Sequence, residues 1–138
     1  MINRHKIREY ALQTLFAVDA NSDVDQQALM ASLVASPGKE TALPAYLLKL
    51  VNGVQADLPA LDELIQQHLS TDWSLNRLAK TDLVILRLAL YEMLKVPEIP
   101  AKVAVDEALE LAKDYSDERS RKFINGVLAA VIRQRHLA

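Results

Sequence analysis

From Asp82 to Leu94 the chain reads DLVILRLALYEML, and apolar side chains at Val84, Ile85, Leu86, Leu88, Ala89, Leu90, Met93 and Leu94 cover almost the whole circumference of a helix. A helix that is apolar on all sides has to be enclosed by others, so the pattern predicts a central core helix beginning near Lys80 or Thr81. A strand fits less well. The run exceeds the usual strand length, favours Leu over β-branched residues, and meets no turn signal until Pro97. It is also too short to cross a bilayer, and Arg87 and Glu92 interrupt it. A buried arginine needs acceptors, which makes a structural ion pair the simpler role for Arg87.

The flanking segments read as further helices. The first is expected from about Asn3, a suitable N-cap, to about Asp19, with Ile7, Tyr10, Ala11, Leu15 and Val18 on one face. The other face carries His5, Lys6, Arg8, Glu9 and Gln13, yet Leu12 and Phe16 sit among them. Equal weight falls on a covering helix and on a partner surface as the reason. A second helix fits Asp25 to Ala35, with Leu29, Leu33 and Val34 inward, and SPGKETAL follows as a loop. Pro44 suits the first turn of a third helix with a stripe at Tyr46, Leu47, Leu50, Val51 and Val54. Pro59 should break that helix, and Asp57 can cap the next segment, LPALDELIQQHL. STDWS is the expected boundary between an N-terminal bundle (1–70) and a C-terminal bundle (71–138), with Asp72 or Ser74 capping SLNRLA. VPEIP stops the core helix. AKVAVDEALELAKDY then places Val103, Ala104, Ala108, Leu111 and Ala112 inward. The last helix buries Phe123, Ile124, Val127, Leu128, Val131 and Ile132, and its interior Gly126 is expected to let a neighbouring backbone approach. The fold class is therefore all-α, with about six to seven helices in a single domain over 1–138.

Composition agrees with that reading. About half of the 138 residues are apolar and a quarter are charged, which argues against disorder. There are no cysteines, which removes disulfides and thiolate chemistry and suits a reducing compartment. The basic N-terminus has no apolar run of signal-peptide length behind it, so a cytoplasmic location is expected and no membrane partner.

Net charge is only −2, but it is segregated. Residues 2–8 hold Arg4, His5, Lys6 and Arg8 with no acid, and from Arg119 to the end there are five Lys or Arg and no acid. Between them, Glu98 to Glu118 holds seven acids and two lysines. The two basic ends could form one patch if the first and last helices lie side by side.

Catalytic chemistry is hard to assemble from these residues. Three scattered glycines make no phosphate-cradling loop, and His5, His68 and His136 have no metal-ligand spacing. The Asp106, Glu110, Asp114 ladder reads as a solvated helix face. No enzyme activity, metal or cofactor is expected. Binding is the remaining class. RNA strands are held by basic side chains on phosphates and by surfaces that stack on exposed bases. Arg4, His5, Lys6 and Arg8, with Phe16 along the same helix, offer both kinds of group, and Arg119, Arg121 and Lys122 strengthen the signal. The alternative is a helical protein-binding scaffold without specific RNA recognition, built on Leu12 and Phe16.

Three stretches, RHKIREYALQTLF at the front, DLVILRLALYEML followed by VPEIPAKVAVDEALELAKDY, and KFINGVLAAVIR at the back, resemble the NusB family of bacterial antitermination factors in order and spacing. The resemblance implies two packed three-helix bundles and an RNA-binding adaptor. Members bind the boxA element of nascent ribosomal RNA leader transcripts together with NusE, which is also a small-subunit ribosomal protein. That complex joins RNA polymerase and other Nus factors to suppress premature termination. By the same resemblance the RNA contacts fall on Arg4, His5, Lys6 and Arg8 and near Lys122 and Phe123, and the NusE-facing side includes Phe16, Asn76 and Asp82. A homodimer that hides the RNA surface is a further state the family implies. Two departures stand out. His5 occupies a place where many relatives have another arginine, and histidine loses its charge near neutrality. Arg119 replaces a common acid, which should strengthen non-specific RNA binding.

Overall fold

The computed structural model describes residues 2–35 and 42–137. Among these there are seven α-helices, one short 3-10 segment and no strand, so the chain is all-α. The helices are α1 (Arg4–Ala20), α2 (Gln26–Val34), α3 (Ala45–Ala56), α4 (Leu58–Gln67), α5 (Lys80–Lys95), α6 (Ala101–Tyr115) and α7 (Glu118–Arg135), with the 3-10 segment at Leu75–Arg77. Of the loop expected over SPGKETAL, positions 36–41 lie outside the described residues.

Helix ends follow local chemistry closely. The Asn3 side chain accepts a hydrogen bond from the Lys6 N–H at 2.8 Å and the Asp25 side chain accepts one from Ala28 N–H at 3.1 Å. Each satisfies a donor that the first turn would otherwise leave without an acceptor. Asp117 does the same for α7 through Ser120 N–H at 2.8 Å. Pro59 falls in the first turn of α4, which separates that helix from α3 as expected, but Asp57 at the N-cap position makes no side-chain capping bond. Its backbone, at φ −100 and ψ 11, lies outside the extended region from which a cap side chain normally reaches back.

The chain divides into two compact units, Met1–Gly53 and Val54–Ala138. In the first, α1 packs on α2. α1 buries Ile7, Ala11, Leu12 and Leu15, and Met30 and Val34 are the buried positions of α2. The burial pattern of α2 is thus shifted from the expected one, with Met30 inside and Leu29 and Leu33 half-buried. Leu12 is buried whereas Phe16 is 39% exposed, so the two apolar residues on the polar side of α1 have opposite fates.

The second unit is organised around α5, which touches α4, α6 and α7. Every residue from Asp82 to Met93 is buried, including Arg87 and Glu92. The Arg87 guanidinium donates to both Asp62 carboxylate oxygens, Nε to Oδ1 at 2.7 Å and Nη2 to Oδ2 at 2.9 Å, which ties α5 to α4. Because α4 packs on α5, the observed division at Gly53 comes earlier than the boundary near residue 70 suggested by STDWS. Val96 ends α5, and α6 starts directly after Pro100. On α6, Ala101, Ala104, Ala108, Leu111 and Ala112 are buried, but Val103 is exposed, since it lies about 100° away from that stripe.

On α7, Ile124, Val127, Leu128 and Val131 are buried, while Phe123 and Ile132 are only half-buried. The expectation for Gly126 is overturned. Among the described residues a Cβ added there would meet nothing within 4 Å, so none of their backbone requires the glycine. Gly126→Ala is therefore expected to raise stability by about 0.5–1 kcal/mol in urea unfolding, the usual gain for alanine in a helix interior. A loss of stability would show that α7 is not an open helix at this point.

Candidate nucleic-acid interface

Each unit carries candidate RNA-binding residues of its own. In the first, Arg4, His5 and Lys6 occupy the first turn of α1. Arg4 and Lys6 are exposed and His5 is half-exposed. The Arg4 guanidinium carbon sits 3.8 Å from the centre of the Tyr46 ring, a stacked cation–π contact between α1 and α3 that holds the side chain near one orientation. His5 Nε2 and Lys6 Nζ both approach Glu9 Oε1, at 3.5 and 3.7 Å. Glu9 therefore offsets part of the positive charge that the basic N-terminal sequence suggests on paper.

Arg8 differs from its neighbours. The sequence places it on the polar face, but it is only 3% exposed. The buried arc of α1 is wider than its apolar spacing indicates, taking in Arg8 and Thr14 as well. Thr14 is accommodated by donating its hydroxyl to Tyr10 C=O at 2.8 Å. Arg8 is thereby removed from the set of surface phosphate contacts. Phe16, further along α1, is the exposed aromatic of this unit.

In the second unit, Arg119 and Lys122 are exposed at the start of α7, with Arg121 and Phe123 half-buried beside them. Arg121 pairs with Glu118, its Nη1 standing 3.6 Å from Oε1. The Ser120 N–H holds the Asp117 carboxyl below the usual carboxylate range, and Arg119 adds to the effect. Asp117 is therefore ionised as the α7 cap throughout the neutral range.

Asp82 was expected on the NusE-facing side. It is 7% exposed and its carboxylate is already engaged, accepting from Ser116 Oγ at 3.1 Å and from Ser120 Oγ at 2.8 Å. These bonds join the start of α5 to the α6–α7 turn. Both Asp82 oxygens are thus engaged within the chain, where they brace the turn that precedes Arg119, Lys122 and Phe123. Asn76, in the 3-10 segment, is exposed as a partner contact requires.

A cleft of about 560 Å³ lies between the end of α4, the 3-10 segment and the start of α7. It brings together Arg119 and Phe123 with Trp73, Arg77 and His68. In the sequence STDWS reads only as a boundary, although a lone tryptophan in a polar loop is a usable signal. Among the described residues no cluster of His, Cys, Asp or Glu suited to a metal is present, and no helix is long and apolar enough to cross a membrane.

The sequence model of the NusB family matches residues 5–133. The chain belongs to the NusB family. The transcription antitermination protein NusB of Levilactobacillus brevis is 55% identical over 129 residues, covering 93% of this chain and 91% of that protein. Solved NusB structures share the fold. T. maritima NusB superposes with a TM-score of 0.83 at 33% identity, covering 96% of this chain and 92% of that one. A crystal structure of antitermination factors NusB and NusE in complex with double-stranded RNA matches with a TM-score of 0.79 at 26% identity, over 95% of this chain and 96% of that chain.

Proposed function

We propose that this chain is an RNA-binding adaptor of transcription antitermination that acts by assembly, without chemistry of its own. Membership of the NusB family over nearly the whole chain carries this reading, together with a solved relative held with NusE and RNA. The ligand is boxA-type single-stranded RNA of ribosomal RNA leader transcripts, bound jointly with NusE in the cytoplasm. The assembled complex then joins RNA polymerase and the other Nus factors and suppresses premature termination.

The exposed cations support this role. Arg4 and Lys6 on α1, and Arg119 and Lys122 on α7, supply phosphate contacts, and Phe123 supplies an aromatic edge for a base. Phe16 and Asn76, both exposed, are the NusE contacts, while Asp82, through the two serines, braces the turn that carries Arg119 and Lys122. The exposed Phe16 also favours a second reading, a protein-binding scaffold in which the basic residues only keep the surface hydrated.

Salt separates the two. Binding of a single strand weakens by roughly 0.7 in log K per log unit of salt for each phosphate contact. Fluorescence anisotropy of a boxA RNA across a salt series is expected to give a steep slope, flattened by about 1.4 in the Arg4→Glu, Lys6→Glu variant through loss of two contacts. Circular dichroism should show unchanged helicity for that variant. A slope near zero, or one that the double variant leaves as it was, would favour the scaffold.

A further inference from the structure

We propose that the cleft at the end of α4 is a pocket for one unstacked nucleotide of the bound RNA strand, with Trp73 and Phe123 receiving the base and Arg77 and Arg119 the phosphate. The proposal rests on the RNA-binding reading and extends it to Trp73 and Arg77, on the far wall from α7.

The first observation is the placement of Trp73. Its side chain is 41% exposed, an unusual position for the largest apolar side chain, and it is held there on a fixed loop. Trp73 N–H donates to Ser70 C=O at 2.9 Å. The Gln66 side chain grips the loop just after the indole, its Nε2 donating to Trp73 C=O at 2.9 Å and its Oε1 accepting from Leu75 N–H at 3.3 Å. An exposed aromatic on a braced backbone is a stacking platform that needs little ordering when a base arrives.

The second observation is the charge left facing outward. Two acids and two arginines line the cleft. Of the acids, Asp82 is buried against the Ser116 and Ser120 hydroxyls, while Asp117 is exposed and gives one oxygen to the Ser120 N–H. Arg119 and Arg77 are exposed, and the Arg77 guanidinium carbon lies 5.5 Å from the centre of the Trp73 ring. A guanidinium beside an indole can hold a phosphate while the base lies on the ring.

Size and shape agree with this occupant. About 560 Å³ falls within the range of clefts that take small organic ligands. Aromatic walls with cationic rims are how single strands are bound at sites that stack rather than pair their bases.

Trp73 is the sole tryptophan of the chain, so it reports on its own occupancy. The wild-type chain should be titrated with boxA RNA at low salt, with and without NusE, following intrinsic fluorescence and anisotropy together. Quenching of Trp73 on addition of RNA, with the same midpoint as the anisotropy change, is expected. Trp73→Ala and Arg77→Ala should each weaken RNA binding about tenfold at unchanged helicity, and Trp73→Phe should restore most of the Trp73→Ala loss. RNA binding with no fluorescence change and no effect of Trp73→Ala would overturn the pocket while leaving the adaptor role standing. A Trp73→Ala defect confined to NusE association would assign the cleft to a protein and likewise overturn it. If the wild-type chain binds no RNA by anisotropy in either condition, the pocket and the adaptor reading fall together.

Discussion

Leu86→Ala is expected to lower the free energy of unfolding by about 2–5 kcal/mol, measured by urea denaturation. Leu86 is fully buried in α5, the helix that touches α4, α6 and α7 in the second unit. Truncation removes buried methyl and methylene groups and leaves a cavity whose walls belong to helices already fixed by other contacts. Collapse into such a cavity is limited, which places the cost in the upper part of that range. Since a domain of this size has a total stability of order 5–15 kcal/mol, the variant should lose a large share of its margin against unfolding. A loss below about 1 kcal/mol would mean that α5 is not enclosed and that the core lies elsewhere.

The second large effect is expected at the Arg87–Asp62 pair. Its two bonds of 2.7 and 2.9 Å form a bidentate clamp, and the side chains are 9% and 23% exposed. That shelter separates it from the solvated ion pairs at Lys6–Glu9 and Arg121–Glu118, which contribute little. Arg87→Ala removes two charge-assisted hydrogen bonds and the packed stem of the side chain, for an expected loss of about 2–4 kcal/mol. Lysine should rescue poorly, because an ammonium cannot reproduce the planar fork that meets both carboxylate oxygens. A double-mutant cycle with Asp62→Ala isolates the pair, and a coupling energy of at least about 1 kcal/mol is expected. Simple additivity of the two single variants would show that the clamp adds nothing beyond burial of the arginine stem.

Elements set by neighbours along the chain are legible in the sequence alone. The all-apolar run of α5, the cap at Asn3, the break at Pro59 and the stop at VPEIP each depend on a few adjacent residues, and each is present in the fold. Burial that depends on what lies across the helix is not legible in this way. Leu12 and Phe16 share the polar side of α1, and only the tertiary fold decides that the first is covered and the second exposed. The same cause takes Arg8 inside and leaves Gly126 without the neighbour its cost suggested.

The candidate surface shows the same division. Charge segregation points to both basic ends, and Arg4, Lys6, Arg119 and Lys122 are exposed there. Glu9 and Glu118 temper those charges through pairs one turn away, which a count of cations overlooks. Asp82 reads as a surface carboxylate because the hydroxyls that engage it, on Ser116 and Ser120, lie 34 and 38 residues later. The cleft at Trp73 depends on Gln66 bracing a loop seven to nine residues away and on α7 closing the other wall, contacts that no periodicity contains.

The most direct measurement is fluorescence anisotropy of a short boxA RNA and a scrambled RNA of equal length, each titrated with the protein in the presence and absence of NusE. A boxA-selective adaptor prefers boxA over the scrambled strand, and the preference grows when NusE is added. Equal binding of the two RNAs, unaffected by NusE, would contradict that role and reduce the basic surface to a non-specific polyanion site.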